Sequence, residues 1–214
     1  MRPIAEIAAL SPVIPVVALD APQDAVPLAE ALLAGGVRVI EVTLRTPQAL
    51  QAAAAIARSG LDIALGIGSI LDHRQLAAAR DAGAQFVVTP GTPPALAQAL
   101  AQLEKADGIP ALPGAATASE MLALRGLGFT HLKFFPAEAA GGAAYLKALA
   151  GPMPDLRFCP TGGIDLEKAK AYLALSSVPC LGGSWLAPEA MIRARDWAGI
   201  AARCADGLQA LRGA

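Results

Sequence analysis

Short apolar runs alternate eight times with helix-forming stretches along these 214 residues, and that rhythm limits the fold more than anything else in the chain. The runs cover 13–19, 37–44, 62–68, 85–89, 109–112, 129–135, 157–159 and 178–181. Helix signals fall between them. Gly35-Gly36 stops the helix over 23–34, Asp72 caps one that ends at Gly83, Thr117-Ala-Ser-Glu120 has the spacing of a capping box, and Asp165 caps another. Thr46-Pro47 and Thr92-Pro93 each place a hydroxyl before a proline, which predicts an N-cap followed by proline in the first turn. Gly182-Gly-Ser184 leads from the last run toward a long terminal helix. The runs are too apolar to face water on either side, so they predict a parallel sheet covered by helices. Eight such units predict a closed (β/α)8 barrel, a TIM barrel, formed as one domain over 1–214. An open, doubly wound sheet is the alternative, but no Gly-x-Gly-x-x-Gly follows the first run to give it a dinucleotide.

Composition removes several function classes. Apolar residues make up 55% and charged ones 16%, which is the profile of a packed core rather than a disordered chain. A net charge of −1 leaves no electrostatic footprint for nucleic acid or an anionic membrane, so an anionic ligand has to be held locally. Three cysteines without metal spacing fit a reducing cytoplasm, and two histidines are too few for a histidine-built metal centre. The start of the chain lacks the pattern of a secretory signal. The longest apolar run, 10–19, is too short to span a bilayer and contains two prolines.

Against this background Lys133 stands out, because it is the one lysine of five embedded in an apolar strand. Taking an ammonium out of water disfavours its charged form, which favours a neutral amine able to attack a ketone and form a Schiff base. The plainer alternative is a lysine that only pairs with a buried carboxylate. Its own face of the strand also carries His131, expected one layer below, and Phe135, expected near the mouth. In the second run, Glu41, Thr43 and Arg45 share one face and Ile40, Val42 and Leu44 the other. The polar face predicts the barrel interior, with Glu41 as proton shuttle and Arg45 gripping a carboxylate at the mouth. A Glu41–Arg45 pair that satisfies itself is the competing reading. Thr161-Gly-Gly163 and Gly182-Gly-Ser184 follow the seventh and eighth runs, where barrels often cradle a phosphate on exposed amides. Tight turns needing positive φ explain the same glycines without a ligand.

Several of these motifs occur together and in order: Gly36-Val-Arg-Val-Ile-Glu-Val-Thr-Leu-Arg45, Gly83-Ala-Gln-Phe86, Lys133-Phe-Phe-Pro-Ala-Glu138, Arg157-Phe-Cys-Pro-Thr-Gly-Gly-Ile164 and Gly182-Gly-Ser-Trp185. Over 13–188 the chain resembles the 2-keto-3-deoxy-6-phosphogluconate (KDPG) aldolases, also described as 4-hydroxy-2-oxoglutarate aldolases. The resemblance implies a (β/α)8 barrel of the class I aldolase type, a homotrimer, a Schiff-base lysine, and neither metal nor cofactor. Position by position it implies Lys133 as the Schiff-base residue and Glu41 as the proton-transfer residue. Arg45 and Ser69 would hold the pyruvate carboxylate. Thr161 and Phe135 would line the pocket with Pro90 nearby, and Gly162, Gly163 and Ser184 would bind phosphate. Two departures stand out. Gly66-Ile-Gly-Ser69 replaces the more usual Gly-Ala-Gly-Thr, and Ala115-Ala116 follows Pro113-Gly114 where hydroxyl or larger residues are more familiar.

The activity this implies is reversible cleavage of the phosphorylated keto-deoxy acid to pyruvate and glyceraldehyde 3-phosphate, with 4-hydroxy-2-oxoglutarate as a second substrate. Two rivals stand beside it. One is an aldolase for the C4-epimeric 2-dehydro-3-deoxy-6-phosphogalactonate. The other is a non-catalytic barrel that binds a phosphorylated metabolite.

Overall fold

In the computed structural model, which describes residues 1–212, the parallel strands close on themselves. The strands are β1 (Val13–Val17), β2 (Val39–Thr43), β3 (Ala64–Gly68), β4 (Phe86–Val88), β5 (Ala111–Leu112), β6 (Gly114–Ala115), β7 (His131–Phe134), β8 (Arg157–Pro160) and β9 (Leu181–Gly183). One sheet runs β5-β4-β3-β2-β1-β9 and the other β6-β7-β8. Pro113 splits one barrel strand into β5 and β6, because a proline has no N–H to give the ladder. A parallel bridge between Thr161 and Gly182 joins β8 to β9 and completes the ring. The eight-stranded TIM barrel is therefore present, with one of its strands in two pieces.

Helices wrap the ring: α1 (Ile4–Ala8), α2 (Ala25–Ala34), α3 (Ala49–Arg58), α4 (His73–Asp81), α5 (Pro94–Asp107), α6 (Ala118–Gly126), α7 (Gly142–Leu149), α8 (Leu166–Leu173), α9 (Glu189–Arg193) and α10 (Trp197–Ala210). The caps at Asp72, Thr117 and Asp165 form as expected. Asp72 accepts from the amides of Arg74 and Gln75, Asp165 from that of Lys168, and Thr117 and Glu120 make the reciprocal capping box. The two Thr-Pro expectations fail. α3 and α5 begin at Ala49 and Pro94, and neither threonine caps its helix. Thr46 donates instead to the Leu19 carbonyl, and Thr92 to the Gly114 carbonyl at 2.9 Å. Each hydroxyl ties its βα loop to the next barrel segment, Thr46 to the loop after β1 and Thr92 to strand β6, a tertiary acceptor that local sequence does not announce.

Two further differences concern the ends of elements. α1 and α9 are short helices outside the eightfold rhythm. The last strand begins three residues later than expected, at Leu181, and takes in both Gly182 and Gly183. Those glycines are there for space. A Cβ on Gly182 would lie 2.3 Å from Thr161 Oγ1, and one on Gly183 2.7 Å from the Trp185 indole nitrogen. The turn explanation holds for the other pair, since Gly162 and Gly163 have φ of +106° and +78°.

Strand alternation sorts the side chains. Phe134 points outward and stacks on Tyr145 of α7 at 5.6 Å between ring centroids, while its neighbour Lys133 points inward. Parallel register puts Val16, Glu41 and Gly66 side by side, and Lys133 beside both Gly114 and Cys159. No helix among the described residues is long and apolar enough to cross a membrane.

Candidate active site

Lys133 on β7 and Glu41 on β2 come from opposite sides of the ring and meet in its interior. The Lys133 Nζ lies 3.1 and 3.3 Å from the two oxygens of Glu41, and the residues are only 4% and 3% exposed. A buried charge pair is tolerated when its partners are this close. The space for it is made by Gly68, since a Cβ there would sit 2.0 Å from Glu41 Oε1. Above the pair, the Phe135 ring centroid is 5.6 Å from Nζ, near the mouth where strand parity puts it.

The Glu41–Arg45 pairing is not what forms. Arg45 reaches out at the end of β2, exposed, and its Nε donates to the Ser69 hydroxyl at 3.3 Å. Its two terminal nitrogens make no hydrogen bond among the described residues. Ser69 takes φ +61°, a left-handed conformation that is costly for a residue with a side chain and that recurs at functional sites. Thr43 turns inward as its parity requires, but spends its hydroxyl on the Val17 carbonyl at 2.9 Å, a structural use.

A cavity of about 310 Å³ opens at the barrel mouth, walled in part by Arg45, Phe135, Thr161, Gly162, Gly163 and Ser184. Six of the residues expected at the site thus share one cleft, and its walls reach the buried pair through Phe135, its ring centroid 5.6 Å from Lys133 Nζ, and Val16, the register partner of Glu41. Pro90 sits half-buried at the end of β4, packed on Gly114, where a Cβ would come within 2.4 Å of the proline's carbonyl carbon. It belongs to the barrel mouth but not to the cavity wall. A larger hollow of about 660 Å³ beside α10 is lined by none of the expected site residues.

At one side of the cleft the backbone presents donors. The amides of Gly163 and Ile164 give their hydrogens to no acceptor among the described residues, whereas that of Gly162 faces Gly182 in the bridge that closes the ring. Such a row of unpaired N–H groups is a local anion site. His131 lies away from it, half-buried and bonded between Nδ1 and the Thr130 hydroxyl at 3.1 Å. Burial, and then the nearby Arg157 charge, push its pKa below the ordinary histidine value, which suits a structural residue. Among the described residues no group of three or more His, Cys, Asp or Glu side chains is arranged to hold a metal ion.

The profile of the family described as KDPG and KHG aldolase matches residues 4–203. This chain belongs to that family. It is 47% identical over 186 residues to the KHG/KDPG aldolase of Escherichia coli K12, covering 87% of this chain and 85% of that protein. With the 2-dehydro-3-deoxy-phosphogluconate aldolase of Pseudoalteromonas atlantica it shares 46% over the same length and the same coverage. Among solved structures, the Legionella pneumophila KDPG aldolase with pyruvate captured as a covalent carbinolamine superposes with a TM-score of 0.91 at 42% identity, covering 95% of this chain and 97% of that one.

Two members of this KDPG and KHG aldolase's site were missed in the sequence. Val16 lines the cleft from β1, and its alternation with Val17 would have placed it beside Glu41. Gly68 clears the space for the Glu41 carboxylate. The signal was the Gly66-Ile-Gly68 alternation, which puts two glycines on the inner face of the strand next to Glu41.

Proposed function

We propose that this aldolase cleaves 2-dehydro-3-deoxy-6-phosphogluconate reversibly to pyruvate and glyceraldehyde 3-phosphate through a Schiff base on Lys133. The observation that carries the reading is a buried amine 3.1 Å from a buried carboxylate, next to a cleft walled by a turn with unpaired amides at Gly163 and Ile164. Lys133 Nζ attacks the C2 ketone, and loss of water leaves a protonated imine. Glu41 is within reach to carry the protons that the nitrogen sheds to the departing oxygen, which leaves as water and returns Glu41 to its carboxylate. The imine cation then serves as electron sink. Glu41, directly or through a water, accepts the C4 hydroxyl proton, the C3–C4 bond breaks, and the aldehyde leaves. The resulting enamine carbon is protonated by the same carboxyl, and hydrolysis of the imine frees pyruvate and restores the amine. The scheme asks for no metal or organic cofactor.

Binding energy is placed at the two ends of the substrate. Arg45 and the Ser69 hydroxyl hold the pyruvate carboxylate; the Gly162–Gly163 turn, through the Gly163 amide, holds the phosphate with Ser184. Phe135, Thr161 and Pro90 shape the space between, so that the bond to be broken is held over Lys133. The same chemistry accommodates 4-hydroxy-2-oxoglutarate, which yields pyruvate and glyoxylate and lacks the phosphate. A cytoplasmic homotrimer completes the proposal, and light scattering in solution tests the subunit number.

Steady-state cleavage, followed by pyruvate release, tests the assignment on both C4-epimeric phosphorylated acids and on the short diacid. The gluconate-derived acid should lead in kcat/KM by about tenfold or more. Faster turnover of the galactonate epimer, or no cleavage of any of the three, would overturn it.

A further inference from the structure

Behind the Gly162–Gly163 turn stands a set of polar groups that the reaction scheme leaves idle. Glu138, in the loop after β7, accepts a hydrogen bond from the Tyr172 phenol at 2.7 Å and pairs with the Lys168 ammonium at 3.0 Å. Lys168 and Tyr172 are four residues apart on α8, the spacing that puts both on one helical face. Tyr172 is 1% exposed, so its hydroxyl is a fixed anchor rather than a mobile surface group. The Tyr172 hydrogen bond, and then Lys168, hold the Glu138 carboxyl below the ordinary carboxylate range and keep it anionic at neutral pH. An exposed lysine contact alone would contribute little. Here the buried phenol fixes the carboxylate, and the carboxylate in turn places the lysine.

What these groups touch next is the backbone of the turn. The amide of Ala137 donates to the Thr161 carbonyl at 2.8 Å, the amide of Glu138 to the Gly162 carbonyl at 3.2 Å, and the Lys168 ammonium to the Gly163 carbonyl at 3.1 Å. Three consecutive carbonyls are therefore held on the side of the β7 loop and α8. In a planar trans peptide the N–H points opposite to the C=O. Fixing the carbonyls of Thr161, Gly162 and Gly163 thus fixes the N–H groups of Gly162, Gly163 and Ile164 in the reverse sense. The last two of those amides are left without an acceptor, and the first faces Gly182 in the ring-closing bridge. Glu138 also packs on the turn directly, since a Cβ on Gly163 would lie 2.9 Å from its Cγ.

We propose that Glu138 is a positioning residue. Clamped by Tyr172 and Lys168, it braces the turn from behind and aims the Gly163 and Ile164 amides at the phosphate of the substrate. The proposal rests on reading that turn as the phosphate site. It assigns to Glu138 no contact with substrate and no part in proton transfer.

The test compares Glu138→Ala, Glu138→Gln and Lys168→Met in the full-length chain. KM and kcat are measured on the phosphorylated acid and on 4-hydroxy-2-oxoglutarate, with inorganic phosphate as inhibitor of the latter. Glu138→Ala should raise both the KM for the phosphorylated acid and the inhibition constant of inorganic phosphate by about tenfold, the scale of one lost charge-assisted hydrogen bond. Turnover of the unphosphorylated diacid and the rate of pyruvate trapping on Lys133 should stay within about twofold. Glu138→Gln, which still accepts from Tyr172, should recover part of the loss. Lys168→Met sits on an exposed helix face and carries the same test should the alanine variant fail to fold. Equal losses on both substrates, or unchanged inhibition by phosphate, would overturn the brace. A parent enzyme that inorganic phosphate does not inhibit would instead overturn the phosphate-site reading on which the brace depends.

Discussion

Replacing Gly68 by alanine adds one methyl group at the most crowded point of the site. The new Cβ would lie 2.0 Å from Glu41 Oε1, 2.6 Å from its Cδ and 2.8 Å from its Cγ. Ordinary contact needs about 3.5 Å, so the carboxylate has to retreat by more than about 1 Å. Its bonds to Lys133 are already 3.1 and 3.3 Å, and such a retreat breaks them unless the lysine follows. Misplacement of a reacting group by about 1 Å costs roughly 10²-fold in rate, or about 2.7 kcal/mol on the barrier. Stability should suffer less. The atoms displaced are the end of one side chain rather than backbone, so overpacking should cost about 1 kcal/mol, a melting temperature lower by about 2–4 °C. Gly66→Ala is the matched control on the same strand. Its Cβ would enter the buried Phe86 ring at 2.2 Å, so it should destabilise more while disturbing Glu41 less. The assay is steady-state cleavage with pyruvate detection, paired with thermal unfolding of both variants. A Gly68→Ala enzyme with kcat within about threefold of the parent would refute the claim that Glu41 must sit where that glycine lets it.

Three other outcomes follow from the same geometry. Glu41→Gln keeps the shape of the side chain but removes its ability to take a proton, and should lower kcat by about 10²- to 10⁴-fold while a pyruvate adduct on Lys133 still forms; unaltered turnover would remove Glu41 from the scheme. Arg45→Ala should raise the KM for substrate by at least about tenfold with a smaller change in kcat, as expected for a group that holds a carboxylate in ground and transition states alike. The acid limb of stability is the third. Glu120's carboxyl is held below its ordinary value by the Ala116 amide and then by the Thr117 amide. Its folded pKa therefore lies below its unfolded one, so its contribution is complete above the unfolded value near ~4.3 and is lost as pH falls through the folded value. The stability gap between parent and Glu120→Gln, read by urea unfolding, should be constant above about pH 5 and shrink below about pH 4.

The interior pair was legible because strand parity is a strong rule. Once 37–44 and 129–135 are strands, Glu41 and Lys133 can only point away from Ile40 and Phe134, and the helices claim the other face. The helix-covered parallel sheet followed from the apolarity of every run, and the count of eight units pointed to its closure. What stayed hidden depends on distances between segments remote in sequence. Thr46 and Thr92 look like helix caps until their hydroxyls find carbonyls in a neighbouring loop and a neighbouring strand. Gly182 and Gly183 look like a loop because glycine is a poor strand former. Their pairing with β1 leaves room for Thr161 and Trp185, and only the fold reveals that crowding. Glu138 reads as an unremarkable acidic residue after a proline until α8 brings Tyr172 and Lys168 to it.

Incubation with pyruvate and borohydride, followed by peptide mass mapping, goes straight to the buried amine. A stable three-carbon adduct on the peptide containing Lys133, and on no other lysine peptide, is the result the mechanism requires. An unmodified Lys133, or an adduct carried by Lys105, Lys147, Lys168 or Lys170 instead, would contradict it.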